Sequence, residues 1–197
     1  MKKDIILAGV GGQGILSIAA VIGYAALEQG MYLKQSEVHG MSMRGGDVMS
    51  NLRISSREIA SDLIPMGKAD LIIAVEPLES LRYLSYLSKE GWIISSSQPF
   101  PNIPDYPPVE KVLDTIHALP HHVLLDADAL AKEAGSVKAS NMVVLGAASP
   151  FLGMDISGLT NAIREIFRKK GESVVDLNLR ALETGRKFAE EERKKLK

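Results

Sequence analysis

The chain contains no cysteine in its 197 residues. It therefore forms no disulfide, no thiolate zinc site and no cysteine-ligated iron–sulfur cluster. It also has little net charge, with a formal value of -1 at pH 7, so nothing global attracts nucleic acid or an anionic membrane. No apolar run approaches the ~20 residues that span a bilayer. Because Asp4 interrupts the signal-like N-terminus, we expect a cytoplasmic protein without nucleic-acid or membrane partners.

The composition is that of an ordinary globular protein. Hydrophobic residues make up 46% of the chain and charged residues 24%, which excludes a mostly disordered chain. A chain of this length buries a sizeable core, and we treat residues 1–197 as one domain. His117, His121 and His122 lack the spacing and the carboxylate neighbours of a metal site, so we predict no metal.

The N-terminal part of the chain opens as a βαβ unit. Residues 5–8 form a fully apolar run, typical of a central parallel strand that helices cover on both faces. Residues 13–29 place apolar side chains at helical spacing and stop at Gly30, and residues 31–36 follow as a second strand. A right-handed crossover is expected for such a unit.

The next segment breaks this rhythm because no helix follows the second strand. Residues 48–54 alternate in polarity as a half-exposed strand does, and residues 58–61 form another predicted short strand. The pattern then predicts strands at 69–75, 92–95 and 122–125, a proline-rich loop at 98–108, and helices at 77–87, 109–119, 126–134, 139–152, 156–169 and 174–195. Together these elements predict an α/β fold: a three-layer α/β/α Rossmann-like domain with a mixed, mainly parallel sheet and a helical C-terminal part.

A glycine-rich turn, GVGGQG, lies between the first strand and the first helix. Gly9, Gly11 and Gly14 meet the pattern G-x-G-x-x-G in the context that a dinucleotide fingerprint requires. Glycines alone would also satisfy a tight strand-to-helix connection, but unpaired N–H groups and the helix dipole favour a negative ligand here. We therefore predict that this turn, with Gly12 and the side-chain amide of Gln13, binds an anion or a carbonyl group.

A second polar segment, SEVHGMSMRGG, follows the second strand. Arg44 places a permanently charged, bidentate donor beside Gly45 and Gly46, a combination suited to phosphate or carboxylate. Glu37 is a candidate for the ribose hydroxyls of a nicotinamide cofactor. His39 carries an imidazole that can shuttle protons, with a structural role as its alternative. We predict these five residues as binding residues and predict no catalytic residue, since no nucleophile is evident beside His39.

Three ordered motifs carry a family resemblance. GVGGQGIL at residues 9–16, SEVHGMSMRGGDVMSNLRIS at 36–55 and NMVVLGA at 141–147 together resemble the gamma subunit or domain of 2-oxoacid:ferredoxin oxidoreductases. In its length and in the string SEVHGM, the chain is most similar to the small beta subunits of the indolepyruvate branch of that family. Met43 departs from the glutamine that the family pattern has before the arginine.

The resemblance implies a part in a larger enzyme. Such enzymes convert a 2-oxoacid and coenzyme A to an acyl-CoA and carbon dioxide and pass two electrons to ferredoxin. Thiamine diphosphate supports the carbanion chemistry and iron–sulfur clusters carry the electrons, and the resemblance places both on a large partner subunit. It implies a non-catalytic subunit whose glycine turn and 37–46 loop dock on that subunit and help enclose coenzyme A or the acyl intermediate.

Two other interpretations stay open at this point. One is an independent nicotinamide- or flavin-linked oxidoreductase, which the fingerprint and Glu37 support. The other is a purely structural assembly subunit, whose glycines permit close packing against a partner. For the isolated chain, a homodimer through an exposed edge strand or the partner-facing surface is a further expectation.

Overall fold

The structure is a computed structural model that describes residues 1–40, 45–101 and 103–195. Its centre is a sheet in which the strands lie in the order β2-β3-β1-β4-β5-β6. The six strands are β1 Lys2–Val10, β2 Tyr32–His39, β3 Asp47–Ser55, β4 Ala69–Ala74, β5 Leu87–Ser96 and β6 His122–Leu125.

The sheet is mixed, as the sequence predicts. β1 is parallel to β4, β4 to β5 and β5 to β6, whereas β3 is antiparallel to both of its neighbours, β1 and β2. Lys2 lies opposite Ser55 and Val10 lies opposite Asp47, so β1 and β3 pair along their whole length. The predicted antiparallel strand is thus confirmed, but the prediction that it is half-exposed is wrong, since β3 lies inside the sheet and most of its residues are buried. It lies between β1 and β2, so the first two strands of the chain are not neighbours.

The predicted strand at residues 58–61 is wrong, because this segment is irregular. Arg53 Nη1 donates to the carbonyl oxygens of Ser61 and Leu63, each at 2.9 Å. The side chain of Asn51 accepts from the N–H of Ile64 at 3.1 Å. Side chains of β3 therefore satisfy backbone groups that a strand would pair with a neighbouring strand.

Helices cover both faces of the sheet. Their bounds are α1 Ile15–Glu28, α2 Pro77–Arg82, α3 Val109–His117, α4 Ala127–Ala134, α5 Ser140–Leu152, α6 Ile156–Phe167 and α7 Glu172–Lys195. The predicted helix at 77–87 is too long, since α2 ends at Arg82 and a 3₁₀ turn at Leu84–Tyr86 leads into β5. The remaining helices confirm the predictions to within a few residues.

The core divides at the sheet as strand alternation requires. Ile5 and Leu7 of β1 point into the large cluster that α1, α5, α6 and α7 complete. Ile6 points to the opposite face, where a smaller cluster includes Ile72 and Ile93 and packs against the region around Tyr83. Two helical layers therefore enclose the sheet, and the predicted α/β/α architecture is confirmed.

Two glycines permit the closest helix crossing in the C-terminal part. A Cβ atom on Gly146 of α5 would overlap the backbone oxygen of Leu182 in α7, and a Cβ on Gly185 of α7 would overlap the oxygen of Val143. The helices are in backbone contact at this crossing. The glycine of the NMVVLGA motif is thus required by packing.

Within the three described ranges, no helix is both long and apolar enough to cross a membrane. The same residues contain no group of three or more histidine, aspartate or glutamate side chains that could hold a metal ion.

Candidate functional site

The glycine turn connects the end of β1 to the first turn of α1. Gly12 has φ 100° and Gly14 has φ 81°, values that L side chains rarely adopt. Gly14 is the N-cap residue of α1. A Cβ atom there would also lie 2.5 Å from Asn141 Nδ2. Both glycines are therefore fixed by the backbone path itself.

Gly9 has a different role from the other glycines of the turn. It is buried within β1, and a Cβ atom there would overlap Val75 and lie 2.8 Å from Ile15 Cδ1. The absence of a side chain lets the strand approach the first residue of α1. Packing alone therefore explains why this position, predicted as a site residue, is a glycine.

Gln13 forms hydrogen bonds within the glycine turn. Its Oε1 accepts from the N–H of Val10 at 2.8 Å, and its own N–H donates to the oxygen of Val10 at 3.1 Å. The N–H of Gly11 donates to the oxygen of Gly46 at 2.9 Å. Among the described residues, the N–H groups of Gly12 and Gly14 have no acceptor, and they are the donors that the turn can offer to a ligand.

The end of β2 meets this turn, as the sequence predicts. His39 lines a cavity of about 320 Å³ together with Gly11, Gly12 and the half-exposed Leu16. His39 Nε2 lies 3.2 Å from Glu37 Oε2. The structure thus brings the carboxylate, the imidazole and two glycines of the turn to one end of the sheet.

The segment that joins β2 to β3 returns to the turn through its last residues. Gly45 has φ 80°, and the carbonyl group of Gly46 accepts the bond from Gly11. The predicted cationic residue Arg44, and the neighbouring Met41 and Met43, lie outside the described residues.

A second cavity, of about 500 Å³, lies on the other side of the turn. Gly12, Gln13, Lys138, Asn141 and Lys170 are among its lining residues. Asn141 Nδ2 donates to the oxygen of Gly14 at 3.1 Å, and Asn141 Oδ1 accepts from the N–H of Met142 at 3.0 Å. The third sequence motif is therefore hydrogen-bonded to the first one, across 127 residues.

A cluster of buried acidic side chains near this edge was not predicted. Glu76 and Glu79 are both almost fully buried at the start of α2, and Glu79 pairs with Arg82 at 2.8 Å. Burial raises the pKa of the Glu79 carboxyl. Burial, with the nearby charge of Asp47, raises the pKa of the Tyr83 phenol to about 12. The signal that could have found the cluster is a glutamate placed directly before Pro77, at a helix start.

These features define a class of protein: a Rossmann-like α/β domain whose glycine turn is held internally by a glutamine and opens toward two surface cavities. The family described as "Pyruvate ferredoxin/flavodoxin oxidoreductase" matches residues 4–188. The chain belongs to this family.

The chain is similar to curated proteins over nearly its full length. It is 36% identical to "Indolepyruvate oxidoreductase subunit IorB" of Thermococcus kodakarensis, over 97% of this chain and 98% of that protein. It is also 36% identical to the protein of the same name from Archaeoglobus fulgidus, over 94% of each chain. A region of "Ketoisovalerate oxidoreductase subunit VorA" from Methanothermobacter marburgensis is 28% identical over 93% of this chain, but covers only 36% of that longer protein.

Solved structures share the fold. A keto/oxoacid ferredoxin oxidoreductase gamma subunit from Geobacter sulfurreducens superposes with a TM-score of 0.71 at 23% identity, over 96% of this chain and 99% of that one. A 2-oxoglutarate:ferredoxin oxidoreductase from Magnetococcus marinus, with coenzyme A among its bound molecules, gives a TM-score of 0.78 at 24% identity, over 96% of this chain and 31% of that one.

Proposed function

We propose that the chain is the small, non-catalytic subunit of a 2-oxoacid:ferredoxin oxidoreductase that acts on indolepyruvate. The enzyme would form an acyl-CoA and carbon dioxide and reduce ferredoxin. The observation that carries the proposal is the 36% identity to an indolepyruvate oxidoreductase subunit over 97% of the chain. The absence of cysteine excludes this chain as a thiolate ligand of iron–sulfur clusters, which is consistent with a large partner subunit that holds the clusters and thiamine diphosphate.

The contribution of this subunit would be made by the glycine turn and by residues 37–46, of which Glu37 and His39 lie at the end of β2 and not in the loop that the sequence predicts. We assign them to a face that docks on the large subunit and helps enclose coenzyme A. Coenzyme A carries phosphates, and the N–H groups of Gly12 and Gly14 at the start of α1 are suited to bind a phosphate oxygen. His39 lines the cavity beside them, and Arg44 would supply a bidentate positive charge.

The VorA relatives support a docking role in trans. In the Methanothermobacter marburgensis protein, the region similar to this chain is 36% of a longer polypeptide. Other domains of that polypeptide are therefore covalently attached to this one. The Thermococcus kodakarensis relative has almost no length beyond the region similar to this chain, so a subunit of that kind would reach the corresponding domains by non-covalent docking.

The proposal is tested on the complex that this chain forms with its large subunit when the two are co-expressed. Indolepyruvate- and coenzyme A-dependent ferredoxin reduction should require both chains. Arg44→Ala should raise the KM for coenzyme A about tenfold or more, because a charge-assisted phosphate contact is lost. Arg57→Ala, at an exposed arginine after β3, is the control and should leave the KM unchanged.

The outcomes separate the remaining interpretations. Arg44→Ala with an unchanged KM but weaker assembly would favour the purely structural subunit. Turnover by the isolated chain with a bound redox coenzyme would contradict the proposal and favour an independent oxidoreductase.

A further inference from the structure

The buried carboxylate of Glu76 holds the proline-rich segment after β5 at two points. Glu76 Oε2 accepts from the N–H of Glu79 at 2.8 Å and so caps α2. Its Oε1 accepts from the N–H of Phe100 at 3.2 Å and from the hydroxyl group of Tyr106. One side chain that is 1% exposed therefore connects a helix start to two points of the segment, 24 and 30 residues further along the chain.

The prolines of the segment limit the backbone hydrogen bonds that can hold it. Its sequence QPFPNIPDYPP contains five prolines, which carry no N–H group and form no regular ladder. Gln98 Nε2 donates to Asp126 Oδ2 at 2.7 Å, at the other side of the segment. Burial and the bond to Glu76 raise the pKa of the Tyr106 phenol further above its usual value. Glu76 and Tyr106 therefore act as a clamp on the segment.

The clamped segment presents apolar side chains to solvent. Phe100 is 46% exposed and Ile103 is 39% exposed. Because Asp126 and Glu76 bind three residues of the segment, Phe100 and Ile103 lose less conformational freedom on binding than they would in an untethered loop. Such preorganised apolar groups are typical of residues that contribute most to an interface.

The segment lies at the same end of the sheet as the glycine turn. β1 and β5 run in the same direction, and the turn and the segment each follow the carboxyl end of their strand. Phe100 and Gln13 line one small cavity of about 120 Å³. Leu16 and Val38, at the start of α1 and the end of β2, are further exposed large apolar residues at this end of the sheet.

We propose that Phe100 and Ile103 dock on the large thiamine-dependent subunit and that Glu76 and Tyr106 are positioning residues for this contact. The inference rests on the proposed function and adds a contact that lies outside the glycine turn and residues 37–46. The large subunit is the chosen occupant because the VorA relatives join a similar region to further domains of one polypeptide, and because Phe100 lines a cavity together with Gln13 of the glycine turn.

The first test compares matched double variants in binding to the purified large subunit. Phe100→Ser with Ile103→Ser should raise the Kd at least tenfold without lowering the Tm of the isolated chain. Leu63→Ser with Met66→Ser is the control, since both residues are exposed apolar groups on the irregular segment after β3. The control pair should leave the Kd unchanged.

The second test examines the clamp. Tyr106→Phe keeps the ring but removes the donor to Glu76, so limited proteolysis should cut the proline-rich segment several-fold faster and the Kd should rise about threefold to tenfold. Tyr32→Phe, at a half-exposed tyrosine that starts β2, is the control. Faster proteolysis with an unchanged Kd would overturn the positioning role.

Three results distinguish this inference from the proposed function. A wild-type chain that does not bind the large subunit overturns both. Wild-type affinity in the Phe100→Ser, Ile103→Ser variant, together with a raised coenzyme A KM in Arg44→Ala, overturns only the contact proposed here. A dimer of the isolated chain that dissociates on the double substitution, with unchanged affinity for the large subunit, would assign the segment to a second copy and overturn the choice of occupant.

Discussion

At the scale of single residues, the most deeply buried ion pair lies at the sheet end opposite to the glycine turn. Asp4 accepts from Arg53 Nε at 2.8 Å and from Nη2 at 3.0 Å, and the more exposed Lys2 approaches Asp4 at 2.8 Å. Burial alone would raise the pKa of Asp4, but the hydrogen bonds and charges of Arg53 and Lys2 lower it below its usual value. Arg53 in turn holds the irregular segment after β3.

Asp4→Asn should therefore destabilise the protein in a pH-dependent way. The loss at pH 7 should be about 3 kcal/mol, because the substitution leaves Arg53 without its counter-charge. A depressed carboxyl pKa adds stability above the unfolded-state value of about 3.9, and that stability is lost as the pH falls through the folded-state pKa. Urea unfolding from pH 7 to pH 2 should show the difference between the two proteins narrowing only below about pH 4, whereas Asp62→Asn, at an exposed aspartate, should stay close to wild type throughout. A pH-independent difference would contradict this account.

Gln13 shows what sequence reasoning can and cannot assign at this scale. The sequence predicts an amide at the mouth of the glycine turn, and the structure places it there. The sequence does not reveal that Gln13 Oε1 already accepts a hydrogen bond from the N–H of Val10, because this bond depends on how the turn closes. The sequence does predict the tight turn, because backbone with positive φ angles favours glycine.

Substitutions at Gln13 separate the internal bond from any ligand contact. Gln13→Met should lower the free energy of unfolding by about 1–3 kcal/mol, since the buried N–H of Val10 loses its acceptor. Gln13→Glu keeps an oxygen at the same place and should lose less. Chemical denaturation of the isolated chain measures both values, and equal losses for the two variants would mean that the bond to Val10 contributes little.

At the scale of elements, buried strands were the most predictable features. β4 is a largely apolar run that is buried in the sheet, and β6 is a shorter run with alternate residues buried at the sheet edge. Secondary-structure predictions from the local sequence pattern were wrong where tertiary contacts determine the structure. The segment at residues 58–61 was predicted as a short strand, yet it is irregular and Arg53 donates to the carbonyl oxygen of Ser61. β5 begins at Leu87, five residues before the predicted start at Trp92, because a 3₁₀ turn shortens the predicted helix there.

The crossing of α5 and α7 gives a prediction at this scale. Gly146→Ala should destabilise the protein by about 3 kcal/mol, because the added Cβ meets the backbone of Leu182, which a rotamer change cannot relieve. Gly158→Ala in α6 is the matched control: its Cβ would lie 2.8 Å from Nε2 of Gln29, the end of a flexible side chain. The control should be neutral or slightly stabilising, since alanine favours helix. Thermal unfolding of both variants checks the difference, and equal Tm values would show that the helices can separate at little cost.

At the scale of the whole molecule, the candidate site is assembled from distant parts of the chain. Gly11 bonds to Gly46, and Asn141 bonds to Gly14 from 127 residues away. The sequence predicts the three motifs and the mixed sheet, but their proximity follows from the strand order, which no local pattern encodes. The clamp at Glu76 depends on the same order, since it joins α2 to the segment after β5.

The strand order also bears on whether the glycine fingerprint can bind a dinucleotide. In a dinucleotide-binding fold, the acidic residue that holds the ribose ends the strand next to β1. Here β3 lies between β1 and β2, so the strand that carries Glu37 is about 9.5 Å from β1, two strand spacings away. Glu37 also pairs with His39.

We therefore expect no specific dinucleotide complex of the isolated chain. NAD, NADP and FAD at 1 mM should each shift its Tm by less than about 1 °C, because a ligand stabilises only in proportion to its occupancy of the folded state. Calorimetric titration should likewise show no saturable heat. A saturable complex that Gly12→Ala abolishes would mean that the turn binds a dinucleotide without the ribose carboxylate of the usual arrangement.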